Sequence, residues 1–380
     1  MATTVYPYVQ YSGMWTKQAQ MQAIAAGTWT GLSFLYAWGI NTSGGLGLGN
    51  TTNYSSPKQV GSLATWARMA ASDSTLAIKT DGTLWAWGAN GNGQLGLNNT
   101  TSYSSPKQVG SLTTWRNIRG GLNNFVLSTK TDGTLWSCGA NNSGQLGLGN
   151  ITNYSSPKQV GALTTWSEIA VGQTYCLATK TDGTLWSWGG NLTGTLGLGN
   201  ITNYSSPKQV GALTAWLTVS AGGYTVLATK TDGTLWSWGD NTNGGLGLNN
   251  RTPYSSPKQV GALTTWLNIA TGNKSALTTK TDGTLWSWGF NGSGQLGLGN
   301  ITNYSSPKQV GSLTTWSKIN LDQSTITTKT DGTLWVWGRN DFGQLGLGNI
   351  TPYSSPKQVG SLTTWSEIST GGLSTRAIAS

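Results

Sequence analysis

The stretch WSEIAVGQTYCLATKTDGTLWSWGGNLTGTLGLGNITNYSSPKQVG, residues 166–211, reads as four short strands joined by turns. WSEIAV (Trp166–Val171) and YCLATK (Tyr175–Lys180) are apolar-patterned runs separated by Gly172-Gln173-Thr174. Asp182-Gly183 is a strong hairpin signal and predicts a type I′ turn. LWSW (Leu185–Trp188) is the third run, with Trp186 and Trp188 on one face and Leu185 and Ser187 on the other. A long Gly-rich loop then leads to the fourth run, SSPKQV (Ser205–Val210). The stretch has no 3.6-residue periodicity, and it leaves no room for a parallel crossover.

The same unit recurs along the chain. YSSPKQVG starts at Tyr54, Tyr103, Tyr154, Tyr204, Tyr254, Tyr304 and Tyr353. DGTLW starts at Asp81, Asp132, Asp182, Asp232, Asp282 and Asp331, and LYAWG (Leu35–Gly39) is a degenerate seventh copy of its tail. Four antiparallel strands in about 50 residues, repeated seven times, is the pattern of a propeller blade. The ends are complementary. The last unit, Trp365–Ser380, supplies only first and second strands, while the first begins at LYAWG with only third and fourth strands. Together they make one blade. An open solenoid would instead need caps. The sequence therefore predicts an all-β, seven-bladed propeller over residues 34–380, closed by a blade split between the N- and C-terminal strands. Residues 1–33 fall outside the repeat as a separate segment.

Composition narrows the chemistry. The 380 residues include no His, so His-based nucleophilic catalysis, His general bases and His-ligated metals are excluded. Two Cys cannot form a zinc site or a disulfide framework. No enzymatic activity, cofactor or metal is expected. The net charge of +10 invites polyanion binding. The lysines weaken that reading because seven of them (Lys58, Lys107, Lys158, Lys208, Lys258, Lys308 and Lys357) repeat beside Pro on the fourth strand. There they suit protection of an exposed sheet edge. Lys79, Lys130 and their equivalents lie two residues before an Asp that offsets them. Specific nucleic-acid binding is not expected. No stretch is long and apolar enough to insert in a membrane, and MATTVYPYVQ does not read as a secretory leader.

LWSWG followed by GANGNGQLGLNN (Gly88–Asn99) or GFNGSGQLGLGN (Gly289–Asn300) resembles the repeats of the regulator of chromosome condensation family. That resemblance implies a seven-bladed propeller. It carries function poorly, because propellers serve unrelated tasks. The family's nucleotide-exchange role relies on His and acidic loop residues, and its UV-B photoreceptor on a Gly-Trp-Arg-His-Thr motif missing here. A secreted β-lactamase inhibitor of the same fold uses one face as a binding plate. YVQYSGMWTKQAQMQAIAAGTWTG, at the N-terminus, resembles short modules of tailed-phage structural proteins. Its Thr16 is placed to cap a short helix over residues 18–24.

Nineteen of the 21 Trp fall on repeat positions and read as packing. Asn41, Asn90, Asn141, Asn191, Asn241, Asn291 and Asn340 follow WG-x, or CG-x at Asn141, and read as loop-holding Asx turns. Cys138 replaces one repeat Trp, and with Cys176 it reads as a buried free thiol. Positions that break the repeat carry more information. Loops after the first and third strands should share one face. The candidates there for a partner-binding face are Asp73, Phe125, Tyr175, Tyr224, Asp240, Lys274, Phe290, Asp322, Arg339, Asp341 and Phe342. Tyr6, Tyr8, Tyr11, Trp15 and Trp29 are the candidates for attachment to a neighbouring subunit. The leading expectation is a virion structural protein of a tailed phage: a fibre, decoration or host-recognition component, oligomeric through its N-terminal segment. Its partners would be other virion subunits and a host receptor or glycan. The alternatives are a bacterial extracellular or surface propeller (an inhibitor or adhesin), then an exchange-factor-like or chromatin-binding propeller.

Overall fold

The computed structural model describes residues 32–62 and 65–380. The five attachment candidates and the Thr16 helix lie outside the described residues. Six blades are continuous: blade one Trp66–Gln108, two Trp115–Gln159, three Trp166–Gln209, four Trp216–Gln259, five Trp266–Gln309 and six Trp316–Gln358. Each is a four-stranded antiparallel sheet in sequential order. The seventh sheet runs Tyr54–Gln59, Phe34–Gly39, Ser374–Ala379, Trp365–Gly371. Its middle strands pair without a bulge from Phe34↔Ala379 to Gly39↔Ser374, so the two ends of the propeller close the ring.

DGTLW explains how the central hairpin of each continuous blade forms. In blade three the Thr184 backbone N–H and Oγ1 both donate to Asp182 Oδ1, at 2.9 and 2.6 Å. Trp186 Nε1 in turn donates to Thr184 Oγ1 at 2.9 Å. The same relay occurs in the other five continuous blades. The Thr184 hydroxyl and N–H hold the Asp182 carboxyl below its usual range. The turn differs from the expected type I′. Gly183 has φ +77° but Asp182 does not have positive φ, and Gly183 N donates to Lys180 O. This is a type I turn followed by a left-handed glycine, where type I′ needs positive φ at both central residues. A Cβ at Gly183 would also lie 1.9 Å from Thr214 O. The second-strand lysines form no ion pair within 4 Å with the Asp two residues on. Lys180 Nζ lies 3.7 Å from the Trp186 ring centroid and 5.1 Å from that of Trp166, a cation–π sandwich seen in all six continuous blades.

The second Trp of LWxW stitches the blades together. Trp188 Nε1 donates to Gln145 O of the preceding blade at 3.0 Å, and Trp238 Nε1 to Thr195 O at 2.8 Å. Trp38 of the split blade reaches Gln344 O at 2.9 Å, and Trp87 continues the circle to Gly45 O. Cys138 stands at the equivalent place in blade two, with Sγ 3.7 Å from Gln94 O. Both thiols are buried and unpaired, and burial pushes Cys138 up to about 12. The core accordingly forms seven layers, each shared by two blades; one joins Leu127, Leu135 and Leu146 of blade two to Trp166, Cys176 and Trp188 of blade three. The repeat Asn has a larger role than a local turn. Fully buried Asn191 accepts from Leu196 N and donates through Nδ2 to Asn200 O and Thr202 O, spanning the whole Gly-rich loop. YSSPKQ is the outer strand of each blade, and its lysines are exposed.

Candidate binding face and central channel

Strand alternation places the loops after the first and third strands on one face, and a pocket lined by both sets confirms it. The opposite face carries the repeated Asp-Gly turns. Departures from the repeat divide the loop face into sectors.

Over blades four and five, Lys274 Nζ sits 3.2 Å from Asp240 Oδ2, 3.3 Å from Thr242 Oγ1 and 5.7 Å from the Tyr224 ring centroid. Three sequence candidates thus meet in one cluster. Phe290 remains 37% exposed, its ring over Gly292. Over blade six, Arg339 pairs with Asp341 at 2.5 Å and donates to Gln323 Oε1, while Phe342 is half-buried nearby in sequence.

Asp322 stands where five other units carry glycine, and it is buried. Burial pushes its carboxyl up to about 7, with Asp73 acting in the same direction; the Gln323 and Gly372 N–H groups and Arg339 pull it back. Its Oδ2 has no hydrogen-bond partner. Asp73 itself is exposed beside Gly372.

Phe125 and Tyr175 are corrections. Each is only 1% exposed, because a strand's first side chain turns into the interblade layer; Tyr175 OH donates to Gly222 O at 3.0 Å. Neither ring can anchor a partner on the surface.

Arg376 is a residue that the sequence reading passed over. It occupies the position of Leu76, Leu127, Leu177, Leu227, Leu277 and Ile326, and it is fully buried at the joint of the split blade. Nε donates to Thr75 Oγ1 at 2.9 Å, Nη2 to Gly45 O at 2.7 Å and Nη1 to Ser374 Oγ. Burial lowers its pKa to about 9, and Asp73 opposes that shift. The signal was a charged residue at a position apolar in six other units.

First strands line a central channel of about 440 Å³. Glu168, Arg119, Lys318 and Glu367 face it, with Lys318 Nζ 2.5 Å from Glu367 Oε1. Arg119 stays solvent-exposed within this channel. Ser220 Oγ and Asn320 Oδ1 accept from the neighbouring blades' Thr271 and Thr370 N–H groups, and Ser369 Oγ from that of Ala71. These bonds cap inner sheet edges. Among the described residues, no three His, Cys, Asp or Glu side chains converge as a metal site.

A closed seven-bladed ring with Trp-stitched blades and one irregular face is the architecture of a repeat propeller. The regulator of chromosome condensation (RCC1) repeat matches seven times, at residues 34–78, 81–124, 132–179, 182–229, 232–278, 282–320 and 331–378. The chain belongs to this repeat family. Among solved structures it is similar to human WBSCR16, with a TM-score of 0.81 and 21% identity over 91% of this chain and 98% of that one. Prp20p of Saccharomyces cerevisiae gives a TM-score of 0.81 and 18% identity over 92% of both chains. Yeast RCC1 (Prp20) bound to Kap60 also gives 0.81 at 18% identity, covering 100% of this chain and 96% of that one. At these identities the likeness concerns the fold. No curated protein matches the chain in sequence.

Proposed function

We propose that this chain is a non-catalytic recognition platform: the loop face binds a partner, and residues 1–33 attach the propeller to a larger assembly, a tailed-phage particle. One observation carries the platform reading. The Asp-Gly turns and outer strands repeat from blade to blade, whereas the loop face gathers Tyr224, Asp240, Lys274, Phe290, Arg339 and Asp341, none of which the repeat requires. The particle assignment rests on the N-terminal motif YSG-x-W followed by a Gln/Ala stretch and GTW.

Purified particles should contain the full chain, and residues 34–380 expressed alone should fold yet fail to incorporate. Equal incorporation of both forms would overturn the attachment reading. A second reading follows from the family. Yeast Prp20p is described by its binding to Gsp1p and histones, so this chain would bind a small GTPase or chromatin. Binding to histones or a GTPase, lost on Lys274→Glu with Arg339→Glu, would favour that reading over the particle.

A further inference from the structure

We infer that the loop face over blades one to three holds a binding site for a neutral sugar, the terminal unit of a glycan. This deepens the platform reading and rests on it.

The site is a cavity of about 310 Å³, at the lower end of the volumes that hold small ligands. Blade one contributes Asn92, blade two Asn123, Asn124, Asn142, Ser143 and Gln145, and blade three Thr174; Ala140 completes the wall. None of these is charged, although ion pairs occupy the loop face over blades four to six. Five carboxamides and two hydroxyls supply every polar side chain of the wall, and no charged side chain joins them.

The site is also built. Gln145 is 2% exposed, and its Oε1 accepts from Ser143 N at 2.8 Å. That fixes the amide and leaves Nε2, which has no protein partner, to the cavity. Asn124 is fixed likewise, because Gln94 Nε2 donates to its Oδ1 at 3.2 Å and its own Nδ2 has no partner. The side chains of Asn92, Asn123 and Asn142 make no hydrogen bond to the protein. A carboxamide presents a donor and an acceptor side by side. Adjacent sugar hydroxyls present the complementary pair, and a charge-free cavity favours a neutral ring over a sialylated or phosphorylated one. The pattern arises once in the ring: at the position of Asn142 the other units carry Thr42, Gly91, Leu192, Thr242, Gly292 and Asp341.

Saturation-transfer NMR of the full chain against glucose, galactose, mannose, N-acetylglucosamine and their disaccharides tests this. At least one neutral sugar should bind. Asn123→Asp with Asn142→Asp should weaken it at least tenfold while leaving the melting temperature unchanged, since neither side chain holds the fold. Binding by none of the panel overturns the sugar site, as does binding that the double variant leaves intact, or a requirement for an anionic sugar. Lys274→Glu with Arg339→Glu lies outside the cavity. Loss of macromolecular partner binding in that variant, with sugar binding intact, separates the platform reading from this one.

Discussion

At the residue scale, the informative positions are those where one unit departs from the repeat. Asp322 replaces glycine, and its buried carboxyl titrates near 7 against 3.8 when exposed. Below 3.8 it is protonated whether folded or unfolded. Between 3.8 and 7 only the unfolded chain ionises it, so stability falls as pH rises, and the loss is complete above 7. Asp322→Gly or Asp322→Asn should therefore raise the melting temperature at pH 8 relative to the parent and change it little at pH 4. A parent and variant that differ equally at both pH values would contradict the buried ionisation.

The tryptophans divide by the same logic. The seven that head the first strands, such as Trp216, have buried Nε1 groups without an oxygen partner; six pack edge to face on LWxW indoles, and Trp365 packs on Tyr36 and Trp38. Trp238 by contrast donates to Thr195 O. Trp238→Phe should destabilise by about 1 kcal/mol more than Trp216→Phe, the value of one buried hydrogen bond; chemical denaturation of both variants measures the difference.

Elements are held by relays that local sequence encodes. Thr184→Val removes the hydroxyl that links Asp182 to Trp186 Nε1 and should cost about 1 kcal/mol. The same change in two distant blades should roughly double the loss. An unchanged denaturation midpoint would mean that the relay merely accompanies the turn. The outer strand follows a different rule. Lys158, Lys208 and Lys258 stand exposed on outer strands that no further strand covers, each held to the preceding unit's loop by one backbone bond, such as Gly149 N to Ser205 O at 2.8 Å. Changing the three to Gln should increase aggregation, read by light scattering, without changing the melting temperature.

On the scale of the whole molecule, closure is cooperative because every core layer belongs to two blades. Deleting Arg376–Ser380 removes most of the strand Ser374–Ala379, and with it the register from Phe34↔Ala379 to Ala37↔Arg376 and the Arg376 bonds to Thr75 and Gly45. Calorimetry should show a much lower melting temperature or no cooperative transition; retention of the parent transition would refute the split-blade closure.

Sequence alone determined the seven blades, their strand order and the split closure. Period, turn signals and complementary ends are one-dimensional properties, and strand alternation converts them directly into faces. It also placed Tyr224, Asp240, Lys274, Arg339 and Asp341 in the loops of one face, although Asp240 is buried there beneath Lys274. What it could not determine was contact between units some 50 residues apart. Phe125 and Tyr175 look like loop tips in the sequence, yet the pleat turns them into the layer between blades. Arg376 looks like an ordinary terminal residue until the ring brings it to Thr75 and Gly45, some 300 residues away in the chain. The amide cavity draws on three blades, Asn92, Asn142 and Thr174 among them, and no local pattern joins them. Ring closure decides such neighbours, because it fixes which side chains of successive blades share a layer, a joint or a cavity.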